Sequence, residues 1–319
     1  MSDSTSLVSI LIPVYNASAY LRQCLDSVVN QTYSHLQVVI IDDGSTDDSF
    51  VLCQEYSNSD SRIELYQQEN QGVATTRNNL LEKVRGDYIL FIDADDWVET
   101  DMVESLVDLA ETHNADIVTC KNVINDSVCQ KDSIKLDTWS QEETIYHFLR
   151  HIILNGSLWN KLIRTSLLNG IKFQPDISFG EDALFCWRVL QRTQKVVRTS
   201  AQYYHYRMNN DSLSHQRFGE KRMSGRIVWE QISRDAEKNW PKYLEIANAS
   251  FAISDMWQLY YAAEDEYKYD GFIKECQLHV RKSLLIIAKS RLVNFKKYIF
   301  AIVVSINYRV ARLFVRILK

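Results

Sequence analysis

The sequence predicts an α/β protein: a mostly parallel central sheet flanked by helices, followed by a helical C-terminal module. Two patterns carry this. In the first hundred residues, apolar runs rich in β-branched residues alternate four times with helical patterns, as in a parallel sheet covered on both faces. From about residue 215 onward the pattern is helical throughout, with no strand signal. The chain has 319 residues, 46% hydrophobic and 24% charged with only 3 prolines, enough for one large domain or two modest ones.

The elements follow in order. SLVSILIPV is the first strand and AYLRQCLDSVVNQ its helix; LQVVIIDDGS and DDSFVLCQEYSN form the second pair. RIELYQQ and GVATTRNNLLEKV form the third, and DYILFIDADD is a fourth strand ending in carboxylates. Residues 101–114 read as a helix and ADIVTCKNV as a strand; a helical pattern resumes near Glu142. Residues 157–190 contain the runs SLWNKLIRTSLL and EDALFCWRVL, and KVVRTSAQYYHYR alternates as a strand does. This gives a domain over 1–214 and a helical region over 215–319.

Several classes are disfavoured. There is no GxxxxGK[ST], and no GxGxxG after the first strand, so neither a P-loop NTPase nor an ordinary dinucleotide-binding oxidoreductase is indicated. Cys24, Cys53, Cys120, Cys129, Cys186 and Cys276 make no CxxC pair and read as reduced structural thiols of an intracellular protein. The N-terminal run lacks the basic flank of a signal peptide, and no uncharged apolar run is long enough to span a bilayer.

Ligands of open parallel sheets bind beyond the carboxyl ends of the strands. Three predicted strands end in Pro13–Asn16, Asp42–Ser45 and Asp93–Asp96. For Asp42 and Asp47, helix capping weighs about equally with a ligand role. Asp93 and Asp95, two apart on a segment read as extended, would project the same way and repel. A divalent cation relieves that repulsion; oxygen donors suit Mg²⁺ or Mn²⁺, which commonly share their coordination with phosphate. Asp43 suits a hydrogen bond from a nucleobase and Tyr15 a stacking contact, while Arg77 suits phosphate or the acidic cluster.

PVYN (13–16), DDGSTDDS (42–49), NQGVATTRN (70–78) and GDYILFIDADD (86–96) resemble, in order and spacing, the family 2 glycosyltransferases of the GT-A (Rossmann-like) fold. WNKLIR (159–164) and FGEDALF (179–185) extend the likeness into the acceptor half, as in bacterial transferases that build surface polysaccharides and glycans. The resemblance covers about residues 7–215. It implies an inverting, Mn²⁺- or Mg²⁺-dependent transfer from a nucleotide diphosphate sugar, most often UDP-linked, to a glycan hydroxyl. By matched position, Pro13, Tyr15, Asp43, Arg77, Asp93 and Asp95 serve the donor; Arg207, in the 205–215 segment where such transferases often carry a loop over the donor, is a candidate diphosphate or metal contact. Asp95 is the direct metal ligand, and Asp93 lies near the ribose or metal. Asp182 is the base with Glu181 beside it; helix capping is the competing reading of that pair.

Trp159 and Lys161 fall on the acceptor side. A packed aromatic is an equal reading for Trp159, and for Lys161 either a phosphate contact or a solvated helix face. Asp96 is grouped with them, a cap of the following helix and a contact with the donor sugar both remaining open. His215 is a candidate metal or diphosphate ligand with a surface histidine the safer reading; His205, within YYHYR, reads as a packed strand residue. A nucleotidyltransferase would be expected to carry a basic, glycine-rich loop where PVYNASAYLRQ stands, and an inactive scaffold would not need the acidic pairs. A transferase extending a protein-linked glycan remains the alternative within the class.

The net charge of −5 hides an asymmetry. Ten basic residues and no acidic one follow Glu275, so the tail carries +10 and the rest −15. Bulky apolar residues interleave with the tail's cations, a pattern that suits an anionic membrane surface. The expected setting is therefore cytoplasmic, peripheral at the inner face of the plasma membrane, with an acceptor that can be lipid-linked. Packing of the tail on its own domain, or on a second copy in a homo-oligomer, is the competing reading. Nothing calls for nucleic acid.

Overall fold

The computed structural model describes residues 6–125, 127–129, 134–150, 154, 156–208, 218–265, 267 and 270–310. The chain forms two compact units: residues 1–144, 157–175 and 188–209, and residues 145–156, 176–187 and 210–319.

The first unit is built on a nine-stranded sheet. Strands β1 (Val8–Val14), β2 (Leu36–Asp42), β3 (Ile63–Gln67) and β4 (Tyr88–Phe91) alternate with helices α1 (Ser18–Val29), α2 (Ser49–Ser59) and α3 (Val73–Leu81). They pair in parallel in the order β3-β2-β1-β4. β5 (Trp97–Val98), α4 (Met102–Thr112), β6 (Ile117–Ile124), β7 (Leu136–Ser140), α5 (Gln141–Arg150), β8 (Lys161–Arg164), α6 (Glu181–Leu190) and β9 (Lys195–Tyr206) follow in the chain, with most of α5 and α6 assigned to the second unit. β8 lies antiparallel between β4 and β6, β9 runs parallel to β6, and β5 and β7 pair antiparallel with β9.

Successive side chains of a strand point to opposite faces. Val8, Ile10 and Ile12 of β1 join Leu21 and Leu25 of α1 and Leu106 of α4 in one apolar cluster, while Leu11 and Val39, on the other face, are equally buried. This double burial makes β1 and β2 read as continuous apolar runs. Helix α4 and the long strand β9 match the sequence expectation. Strands β5, β7 and β8 go beyond it. β8 is four residues inside SLWNKLIRTSLL, too short for its spacing to separate a buried strand from a helical turn. β7 (LDTWS) buries only Trp139.

The second unit is helical in its C-terminal part: α7 (Glu220–Asn239), α8 (Leu244–Glu264), α9 (Asp270–Ser290) and α10 (Phe295–Ile306). Met256 and Leu259 of α8, Ile273, Val280 and Ile287 of α9, and Phe300 and Val304 of α10 share one core. Thus the apolar residues of the basic tail, as far as Val304, are largely core residues of this unit. Asn294 caps α10, its side chain accepting from the Lys297 N–H at 3.0 Å. A charged network sits among the helices: Asp255 of α8, 0% exposed, accepts from His279 Nδ1 at 2.7 Å and pairs with Arg226 at 3.3 Å. No described helix is long and apolar enough to cross a membrane.

Candidate active site

The carboxyl ends of β1, β2 and β4 open onto loops that carry most of the predicted donor residues. Pro13 is the penultimate residue of β1, and Tyr15 just beyond it is 52% exposed, its ring offered to solvent. Asn16 adopts a left-handed φ of 48°, and its side-chain oxygen accepts from Thr46 N–H at 2.8 Å, tying the β1 loop to the β2 loop. Gly44 turns the chain after β2 at φ +72°; a Cβ there would stand 2.8 Å from the Asn70 nitrogen, so the β2 loop and residues 68–70 touch through backbone.

Asp43 fastens that contact. Its Oδ1 accepts from Gln68 Nε2 at 2.7 Å and Gln71 N–H at 2.8 Å, and its Oδ2 from Gly72 N–H at 2.9 Å. Gln68 in turn accepts from Asn79 on α3. Asp43 therefore holds the loop leading into α3, and its Oδ2 keeps acceptor capacity beyond these three bonds. Asp42 and Asp47 turn out to be local organisers. Asp42 Oδ2 accepts from Ser45 N–H at 3.2 Å, and Asp47 accepts from the N–H groups of Ser18 and Ser49, the first residues of α1 and α2. Burial opposes the Asp47 charge, but the hydrogen bonds from Ser49 and Ser18 outweigh it and lower its pKa to about 2.

Asp93–Asp96 is a tight turn rather than the extended segment expected, closed by Asp96 N–H donating to Asp93 O at 3.1 Å. The turn separates the carboxylates by role. Asp93 and Asp95 are partly exposed, and Asp93 Oδ1 meets the buried Arg77 guanidinium at 3.2 Å. Asp96 is 1% exposed, its Oδ2 accepting from Tyr204 OH at 2.7 Å and its Oδ1 from Arg207 N–H at 2.7 Å. It therefore neither caps the following helix nor stands on an acceptor-facing surface: both oxygens are committed to β9 and the residue after it. Burial pushes the Asp96 carboxyl up to about 8, repulsion from Asp93 and Asp95 adding to it against the bond from Arg207. Asp93 and Asp95 thus oppose a third charge in this turn, a repulsion that a cation there would relieve.

Arg207 closes the turn from behind. Its Nε donates to Asp95 O at 2.7 Å, and its guanidinium lies 4.5 Å from the Trp97 ring centroid and 4.9 Å from that of Tyr20. Trp159 stacks on Tyr204 at 4.6 Å and Tyr206 at 5.9 Å, the packed reading of that residue. Lys161 is corrected. It lies on β8, not on a helix face, and is 1% exposed, with Nζ donating to Asn160 Oδ1 at 2.8 Å and to Ser157 O. His205 is a buried strand residue, as expected. His215 lies outside the described residues.

Glu181 and Asp182 belong to the second unit, in the first turn of α6, where the helix dipole favours negative charge. Gly180, φ +86°, turns the chain into that helix. Ala183 comes so close to Gly156 that an added Cβ would stand 2.5 Å away, fixing the turn against residue 156.

The sequence reading missed two organisers. Tyr204 accepts from Asp93 N–H at 3.2 Å besides donating to Asp96, and burial, then Asp96 and Asp93, raise its pKa well above the usual phenol range. The other is Gln68. The aromatic run YYHY near the end of β9 offered a signal for Tyr204; nothing local marks Gln68.

A mostly parallel sheet with an acidic turn after its fourth strand and a helical C-terminal region defines a GT-A-type protein. The chain belongs to glycosyltransferase family 2: the family model "Glycosyl transferase family 2" matches residues 9–172. The glycosyltransferase GlyA of Streptococcus pneumoniae is 34% identical over 223 residues, 65% of this chain and 31% of GlyA. EpsH of Bacillus subtilis is 32% identical over 245 residues, 74% of this chain and 70% of EpsH. This chain thus spans about a third of GlyA's length and a larger share of EpsH's. Among solved structures, S. aureus TarS 1–349 in complex with UDP-GlcNAc superposes with a TM-score of 0.69 at 20% identity, covering 97% of this chain and 91% of that one, a likeness of fold.

Proposed function

We propose that the protein is an inverting, divalent-metal-dependent glycosyltransferase that moves a sugar from a UDP-linked donor to a glycan hydroxyl. The observation carrying this is the Asp93–Asp96 turn: three carboxylates crowded into one turn, oxygen donors only, beyond the carboxyl end of β4. Such donors fit Mg²⁺ or Mn²⁺, with Asp95 as ligand and Asp93 in support; the ion supplies charge neutralisation for the leaving diphosphate. Tyr15 stacks on the base and Asp43 Oδ2 accepts from it. Arg77 orients Asp93, and Arg207 holds the turn in shape. Asp182 takes the proton of the attacking hydroxyl, Glu181 flanks it, and one base suffices for single inversion.

The test is a screen of nucleotide sugars for Mn²⁺-dependent hydrolysis and thermal stabilisation, since a bound donor raises the melting temperature by mass action. Asp95→Ala is expected to abolish metal-dependent donor binding. Asp182→Asn is expected to keep binding and lower turnover by about 10²–10⁴-fold. Near-normal turnover by Asp182→Asn would remove the base assignment while leaving the donor site standing.

Attachment to an anionic membrane is part of the proposal. The solvent face of α9 carries Leu278, Lys282, Leu285 and Lys289, all exposed, beside the buried stripe that builds the core. Charge reversal at Lys282 and Lys289 should release the protein from anionic vesicles in a flotation assay. If it floats as before, the attachment idea fails.

A further inference from the structure

Behind the acidic turn, at the β5/β9 edge, three side chains of different chemistry converge. The ligand atoms of Glu99, Cys129 and His205 all lie within 4.8 Å of one another. His205 Nε2 is 2.8 Å from Glu99 Oε1 and 3.4 Å from Cys129 Sγ. The other ring nitrogen, Nδ1, is 3.0 Å from the carbonyl oxygen of Asn125. A carbonyl can only accept, so Nδ1 carries the proton and Nε2 of a neutral ring presents its lone pair. That lone pair points at a carboxylate oxygen, two acceptors at hydrogen-bond distance. A thiol proton would satisfy the nitrogen–sulfur contact but not the nitrogen–oxygen one. The arrangement calls for a cation between them, either a proton or a metal ion.

The surroundings fit a metal. Imidazole ligands of metal sites usually donate their second N–H to a carboxylate, carbonyl or water, as His205 does to Asn125. Asn125 is itself held, at φ 51°, by its N–H to Tyr206 O and by Met208 N–H to its side chain, so the carbonyl is set in place. Bonds of about 2.0–2.3 Å to N, O and S in a tetrahedron separate the donors by about 3.3–3.5 Å. The nitrogen–sulfur distance already matches, and the nitrogen–oxygen distance of 2.8 Å would lengthen by about 0.5 Å on binding. The ring is fixed by stacking on Trp97, centroids 4.7 Å apart and planes 12° off parallel.

We infer that Glu99, Cys129 and His205 form a three-ligand site for a zinc-type ion, with a fourth position for water. Thiolate and imidazole select Zn²⁺ or Co²⁺ over Mg²⁺ and Mn²⁺, which sets this site apart from the all-oxygen turn. The two sites are joined through Trp97, which stacks on His205 and carries the Arg207 guanidinium that bonds Asp95 O. A bound ion would lock the rear support of the donor turn. The chemistry is binding only, with release of the thiol proton.

The experiment uses the full chain, reduced and stripped of metal, titrated with Co²⁺. Expected is a thiolate-to-cobalt charge-transfer band in the near ultraviolet, saturating at one equivalent and displaced by Zn²⁺. Cys129→Ser should lose the band and weaken zinc binding by more than about a hundredfold, beyond the 10–100-fold that loss of an outer-shell partner costs. Zinc should also raise the melting temperature of the native protein and not of Cys129→Ser, a contrast that loss of packing alone would not produce. Glu99→Gln should keep the band and shift it to higher cobalt concentration. Asp95→Ala should leave it unchanged. Absence of the band in the native protein, its survival in Cys129→Ser, or its loss in Asp95→Ala would each overturn the inference.

Discussion

The two units hold their charged residues in opposite ways. In the first, the carboxylates stand at strand tips and are held by groups far along the chain: Asp96 by Tyr204 and Arg207, Asp43 by residues 68–72. In the second, Asp255 is sunk among α7, α8 and α9 and is answered by Arg226 and His279 from helices packed against its own. The first arrangement crowds Asp93, Asp95 and Asp96 into one turn, where burial and mutual repulsion raise the Asp96 pKa. The second sets a single buried carboxylate against cationic partners. Crowded like charges mark a site, whereas a balanced buried pair marks structure.

The comparison breaks most readily at Asp255. Asp255→Ala leaves the Arg226 guanidinium partly buried with its principal counter-charge gone, and should destabilise the protein by about 3–5 kcal/mol in urea unfolding. Burial is the largest influence and works against the Arg226 charge, and Asp255 together with Cys276, Glu275 and Glu230 outweighs it, keeping that pKa above its ordinary value. A loss below about 1 kcal/mol would mean that the pair is not structural. Tyr204→Phe is the matching cut in the first unit. It removes a donor to a carboxylate and an acceptor for Asp93 N–H, and should cost about 1.5–3 kcal/mol. Because Tyr204 shapes the donor turn, the variant should also weaken metal-dependent donor binding, whereas Asp255→Ala at a temperature where it stays folded should not. Equal effects of both variants on donor binding would erase the distinction.

Much of the first unit was legible because its strands are buried on both faces, and double burial writes itself as unbroken apolar runs such as SILIPV and VVIID. The acidic turn was visible as a cluster but not as a turn. Its bend depends on Asp96 being drawn toward β9, more than a hundred residues away, and a local pattern carries no such information. For the same reason Lys161 read as a phosphate contact or a solvated cation. Only the placement of β8 between β4 and β6 buries it, where Asn160 and Ser157 receive its protons. The tail was read for its charge, and the charge is real, but its apolar residues answer to the core around Phe300 and Val280 as well. Arg207 was assigned by position to the donor. Its contacts with Asp95, Trp97 and Tyr20 required the folded chain.

The smallest effect concerns Asp47, where the two families of carboxylate in the first unit part company. Asp96 has its pKa raised by burial and repulsion, whereas the Asp47 pKa is lowered to about 2 because Ser49 and Ser18 hydrogen bonds overcome its desolvation. In the unfolded chain an aspartate ionises at about 3.9. A depressed folded pKa contributes stability that is fully present above the unfolded value and is lost as pH falls from about 4 toward 2. Asp47→Asn keeps an oxygen acceptor and removes the charge, so it should lose this contribution at neutral pH and flatten this part of the acid limb. Comparing melting temperatures of the two proteins between pH 5 and pH 2 checks the sign. The gap should close as the pH falls, since native Asp47 becomes neutral like its replacement. A gap that widens toward pH 2 would mean that the carboxyl stabilises in its protonated form, and that Asp47 is not the charged link between the starts of α1 and α2.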